Sequence, residues 1–115
     1  MTVRITVTSI KSDNVNFPDY NQALEAHITA NYIDTGKILS KESIKTKINE
    51  SDDDLNRREF VMVFDSAASF NEYQSDSTRA EARIARDVYN AEHGITSTTV
   101  IEYIAPDVDP AGAPA

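Results

Sequence analysis

The sequence predicts an α+β fold in which strands and helices follow one another in the order βαββαβ. Three observations predict it. Short runs of β-branched residues with period-two alternation recur along the chain, and capped helical patterns fall in two of the gaps between them. Two of the strand runs are separated only by the polar turn SDDDLN, which makes a central hairpin.

Each element can be justified in order. Residues 2–10, TVRITVTSI, set Val3, Ile5 and Val7 against Arg4, Thr6 and Thr8, the pattern of a half-buried strand. KSDNVNFPD is a loop by composition. A helix is expected over 19–34: Asp19 and Gln22 have capping-box spacing, and Gly36 stands where a left-handed terminator belongs. Within it Tyr20, Leu24, Ile28 and Tyr32 recur every four residues, with Ala23 and His27 beside them. Residues 38–50 alternate Ile44, Thr46 and Ile48 against Lys45 and Lys47, and outward lysines suit an edge strand. RREFVMVFD completes the hairpin.

After it come a short helix capped by Asp65 or Ser66, with Phe70 and Tyr73 inward, and a polar break. Thr78 and Glu81 form a further capping box before a longer helix that should turn Ile84, Val88 and Ala91 inward. Gly94 ends it, and ITSTTVIEYIA is the last strand. The whole is a ferredoxin-like βαββαβ plait: a four-stranded antiparallel sheet, strand order 4-1-3-2, with both helices on one face and the second helix in two pieces. Residues 1–105 make one domain. Residues 106–115 make an extended tail holding three of the four prolines.

The chain has 115 residues, enough for one core, and 40% of them are hydrophobic. Eleven basic against nineteen acidic residues leave a net charge of −8, which repels phosphate backbones and anionic membrane surfaces. With no cysteine, thiolate nucleophiles and cysteine-ligated metals are excluded, and a reduced, cytoplasmic setting is expected. No phosphate-cradling glycine loop, nucleophile elbow or HExxH pair occurs. Asp52, Asp53 and Asp54 lack the spacing and distal Glu of a calcium loop and read as a solvated turn, so neither metal nor cofactor is expected.

The strand at 59–65 is apolar on both sides, with Phe60, Met62 and Phe64 on one face and Val61 and Val63 on the other. The helices cover only one face of such a sheet. The other needs a cover, and a second copy or a protein partner supplies it best. Phe60, Met62, Phe64, Ile101 and Tyr103 are the candidate interface residues, Val100 and Ile104 being their alternates on the last strand.

The stretch FDSAASFNEYQSD, with a strand ending in Phe-x-Ser, a short helix ending in Tyr, a break and a main helix, resembles the dimeric α/β-barrel superfamily over residues 2–105. That resemblance implies a fold shared by cofactor-free monooxygenases, haem-degrading enzymes and muconolactone isomerase-like proteins. It also implies a site between helices and sheet built from His, Asn, Trp or Tyr. This chain has no Trp, against the haem-degrading activity, and its histidines are His27 and His93. TGKIL and RDVYNAEHGIT are similar to segments of small tailed-phage proteins.

Two functions are therefore expected to compete. One is a non-enzymatic, self-associating assembly protein, with a virion location if of phage origin, acting through its open sheet face and tail. The other is a small-molecule enzyme or binder of the α/β-barrel type with His27 as base and Tyr32 near it. The residues lean toward the first. His93, in a last helical turn, is explained by the helix dipole. Arg79, Arg83 and Arg86, at i, i+4 and i+7, read as an outward docking stripe for an acidic partner, with Arg83 free to pair with Asp87. An internal pocket that receives His27 would favour the enzyme, and a helix–sheet space packed shut would favour assembly.

Overall fold

The computed structural model describes residues 1–19 and 21–105. Tyr20 and the tail 106–115, both singled out above, lie outside the described residues. The element order is β1 (Thr2–Ile10), α1 (Gln22–Ile28) running into a π-helical turn (Thr29–Ile33), β2 (Ile38–Thr46), β3 (Arg57–Phe64), α2 (Ala67–Gln74), α3 (Ser77–His93) and β4 (Thr96–Ile104). The sheet is antiparallel with order β2-β3-β1-β4, so the plait is present as expected and the lysine-bearing β2 is an edge strand.

The core lies between the sheet and the helices. Val3 and Ile5 of β1, Met62 and Phe64 of β3, Ile28 and Tyr32 of the first helical segment, and Phe70 and Tyr73 of α2 are all buried there. Aromatic rings form its centre: Phe64 meets Phe70 at 5.5 Å and Tyr73 at 5.2 Å, and Tyr73 meets Tyr32 edge-on at 5.3 Å. Phe60, Met62 and Phe64 are thus on the helix-covered face, not on an exposed interface. Alternation along β3 allowed either assignment; pairing of Met62 with Ile5 and of Phe64 with Val3 places them with the apolar side of β1.

The opposite face carries Val61 and Val63, joined by Val100 and Ile104 of β4, which are 50% and 37% exposed. It is less greasy than β3 alone suggests. Val61 has Thr6 and Glu42 as neighbours, Val63 has Arg4 and Ser40, and Arg4 forms a two-pronged ion pair with Glu102 at 2.9 Å. Ile101 and Tyr103 point to the helix side of edge strand β4, where they remain 42% and 56% exposed.

Three local expectations are corrected. The first helix is capped by Asn21, whose side chain accepts from the Leu24 amide, and not by Asp19. Its second half widens into a π turn closed by Asp34 N–H to Thr29 O at 2.8 Å. A four-residue repeat overshoots a turn of α-helix by about 40°, so the wider turn keeps Ile28 and Tyr32 on the same buried side. The break before α3 is set by Asp76, which accepts from the Arg79 amide, so Thr78 lies inside the helix.

A further correction concerns orientation. Ile84 and Val88 of α3 are 65% and 54% exposed, and the helix's buried residue is Asn90. The helix has turned its apolar stripe outward. Its ends are nonetheless well made, with Gly94 at φ 67° as the left-handed terminator and the Asn90 carbonyl accepting from Gly94 N–H. Gly36, at φ 77°, plays the corresponding part after the π turn.

Candidate functional site

Between α1, α3 and the helix-covered side of the sheet lies a cavity of about 290 Å³. Its apolar wall is made by Val7, Leu24, Ile28, Phe60 and Tyr73. Ala82 and Ala85 form the α3 side, where small residues leave room. Polar atoms come from Ser9, Ser43, Asn21 and Tyr89, and the Tyr89 hydroxyl ties α3 to the loop after β1 by donating to Asn16 O at 2.8 Å.

The inverted orientation of α3 decides the character of this space. Arg79, Arg83 and Arg86 border the cavity together with Arg58 of β3, so the stripe read as an outward dock lies along the cavity's open side, where the Arg83 and Arg86 side chains stay 53% and 41% exposed. Asn90 continues the same row and is buried, and its side-chain oxygen has no hydrogen-bond partner among the described residues. Arg79 lies over the Tyr73 ring at 5.1 Å, and Arg58 over the Phe17 ring at 4.9 Å. Burial raises the Tyr73 phenol above its ordinary value, with Arg79 opposing. The acids on the lining are Asp19 and Glu25, and Glu25 is paired with Lys41 of β2.

His27 and Tyr32 do not line the cavity. They converge on Asp76: His27 Nε2 lies 2.7 Å from Asp76 Oδ2, and the Tyr32 hydroxyl donates to the same oxygen at 2.7 Å. Asn31 braces the imidazole through contacts with Nδ1 and with the His27 carbonyl. Burial works to raise the Asp76 carboxyl, but hydrogen bonds from His27, Tyr32 and the Arg79 amide outweigh it and hold the group at about 2. Burial, with the Asp76 carboxylate beside it, pushes the Tyr32 phenol well above the usual tyrosine range. This cluster fastens the first helix to the start of α3. Tyr32 also stacks edge-on with Tyr73, so one ring separates the cluster from the cavity.

Sequence reasoning missed Asp76, Arg58 and the alanine gap. Asp76 could have been found as an N-cap competing with Thr78, because an aspartate before Ser-Thr-Arg satisfies the same orphan amides. His93 lies with Nδ1 2.8 Å from Tyr89 O and stacks on the Tyr89 ring in the last turn of α3. Asp54 belongs to a corner in which Lys11 Nζ meets Asp54 at 3.2 Å and Asn56 at 2.9 Å. Among the described residues no group of three or more His, Asp or Glu side chains is placed to hold a metal ion, and no helix is long and apolar enough to cross a membrane.

The fold that the resemblance implied, a four-stranded antiparallel plait with its helices on one face, is present. Comparison with solved structures agrees. The chain is similar to SnoaB, a cofactor-independent oxygenase from Streptomyces nogalater solved as a single-site variant, with TM-score 0.56 and 12% identity over 94% of this chain and 97% of that one. It is also similar to a candidate antibiotic biosynthesis monooxygenase from Deinococcus radiodurans, with TM-score 0.50 and 7% identity over 92% and 96% of the two chains. No protein-family model and no curated protein matches the sequence.

These matches overturn the expectation of a structural or phage assembly protein. Both neighbours are described as oxygenases, neither as a virion component, and the helix–sheet space is open where an assembly protein would have it packed.

Proposed function

We propose that the protein binds a small organic molecule in the cavity between α1, α3 and the sheet and acts on it as a cofactor-free monooxygenase or isomerase-like enzyme. The observation that carries this reading is the cavity itself. At about 290 Å³ it is near the lower end of ligand pockets, roughly 300–1,000 Å³, and it combines an apolar wall with a few convergent polar groups. The fold neighbours support the chemistry as well as the shape, since one is described as a cofactor-independent oxygenase.

Without a cofactor the electrons that reduce dioxygen must come from the substrate. An electron-rich aromatic compound that gives up a proton readily fits that requirement, and the guanidinium groups on the wall would stabilise the anion formed. In this reading His27 and Tyr32 are positioning residues. They hold Asp76, and Asp76 sets the first turn of α3 and hence the height of Arg79 above the cavity.

The test is dioxygen uptake and product formation with a panel of hydroxylated two-ring aromatics, in the presence of a metal chelator. Turnover by the native protein that Ala82→Phe abolishes, by filling the cavity, is the expected result. Turnover or binding unaffected by Ala82→Phe places the chemistry elsewhere and overturns the reading.

The resemblance also implies a homodimer, and we propose that the open sheet face, through Val61, Val63, Val100 and Ile104, is its contact surface. A mass near twice 12.7 kDa at micromolar concentration is expected in solution. Val63→Lys should return it to the monomer; a native monomer would remove this part of the proposal.

A further inference from the structure

The charge on the cavity wall runs against the charge of the chain. The protein carries a net −8, yet the charged residues on the lining are four arginines, Arg58, Arg79, Arg83 and Arg86, against Asp19 and Glu25. Glu25 is already engaged by Lys41. The two later arginines of α3 share one ion-pair partner, Asp87, at 3.7 Å from Arg83 Nε and 3.8 Å from Arg86 Nη2, too far for a hydrogen bond in either case. Arg83 and Arg86 are therefore paired with Asp87 only loosely, and neither of these ion pairs uses a guanidinium donor in a hydrogen bond.

The geometry of the helix makes this pointed. At i, i+4 and i+7, Arg79, Arg83 and Arg86 occupy one stripe, and the apolar residues that could have packed there, Ile84 and Val88, are on the opposite side in solvent. Apolar residues thus stand in solvent while the guanidinium groups stand at the open side of the cavity, with Arg83 and Arg86 still 53% and 41% exposed and within reach of a ligand. A planar fork of N–H donors is the group that recognises a carboxylate in two-point fashion, and a low-dielectric wall of Leu24, Ile28 and Phe60 strengthens that interaction.

We infer that the ligand of this cavity is an organic anion: a molecule with a flat apolar body of one or two rings and a carboxylate, seated with the carboxylate on the Arg83–Arg86 stripe and the rings against Phe60 and Ile28. This inference rests on the cavity reading given above and adds the substrate class.

The experiment uses the native protein and a matched pair of probes, 2-naphthoate and the neutral 2-naphthalenemethanol, with 2-naphthyl phosphate as a further arm, followed by titration calorimetry. The carboxylate is expected to bind about ten-fold or more tightly than the alcohol, and the preference should shrink as salt is added. Arg83→Gln with Arg86→Gln should weaken naphthoate about ten-fold and leave the alcohol unchanged, while Arg86→Lys, which keeps the charge, should restore part of the preference. Equal affinity for acid and alcohol overturns the anion inference and leaves the cavity reading standing. Tighter binding of the phosphate than of the carboxylate overturns the carboxylate assignment. No binding of any probe overturns both.

Discussion

The two helices that follow β3 are made differently and face the sheet differently. The short one, α2, buries Phe70 and Tyr73 against Phe64 and holds the centre of the core. The long one, α3, has the cleaner apolar stripe in its sequence, yet that stripe is exposed, its arginines border the cavity and its buried residue is Asn90. Amphipathic periodicity says that a helix has two sides; it does not say which side faces inward. In this contrast α2 holds the core and α3 borders the candidate cavity, and each half of that statement can be broken.

The largest effect is expected in α2. Phe70→Ala removes a ring that is 3% exposed and should cost about 3–5 kcal/mol, read from urea unfolding. A loss under about 1 kcal/mol would mean that the aromatic cluster is not the centre of the core.

Next comes the joint between the helices. Asp76→Ala removes the cap of α3 and the shared acceptor of His27 and Tyr32, and is expected to cost about 2–3 kcal/mol. The same carboxylate carries a pH signature. Its folded value, about 2, lies below the ordinary carboxylate value, so its stabilisation is present above pH ~4 and is lost as pH falls from ~4 towards ~2. Thermal unfolding of native protein and Asp76→Asn should therefore converge at the acid end of that window. Parallel curves down to the lowest pH would show that the cluster does not hold Asp76 as described.

The smallest effect belongs to the outer side of α3. Ile84→Ser should change stability by less than about 0.5 kcal/mol, because the side chain is 65% exposed. A loss of about 2 kcal/mol or more would mean that this stripe is covered in solution, and the contrast between the helices would have to be redrawn.

The plait itself was legible in the sequence: β-branched alternation, the SDDDLN turn, Ser66 as a cap and Gly94 as a terminator each point to one local structure, and those structures combine in one way. The site was half legible. The spacing of Arg79, Arg83 and Arg86 was visible, but their direction was not, because it depends on where Asp76 starts the helix and on Ala82 and Ala85 leaving a gap. The face of Phe60, Met62 and Phe64 was likewise undecided, since a strand apolar on both sides gives no preference until β1 pairs with it.

The π turn at Thr29–Ile33 has a genetic reading. A wider helical turn amounts to a single inserted residue, and deletion of Ala30 would convert the segment to continuous α-helix and rotate the residues beyond it by about 100° relative to His27. Tyr32 and His27 could then no longer share one oxygen of Asp76. A change of one codon outside the cavity lining would thus remove one of the two side chains that fasten α3 to the first helix, leaving the Tyr89–Asn16 tie in place.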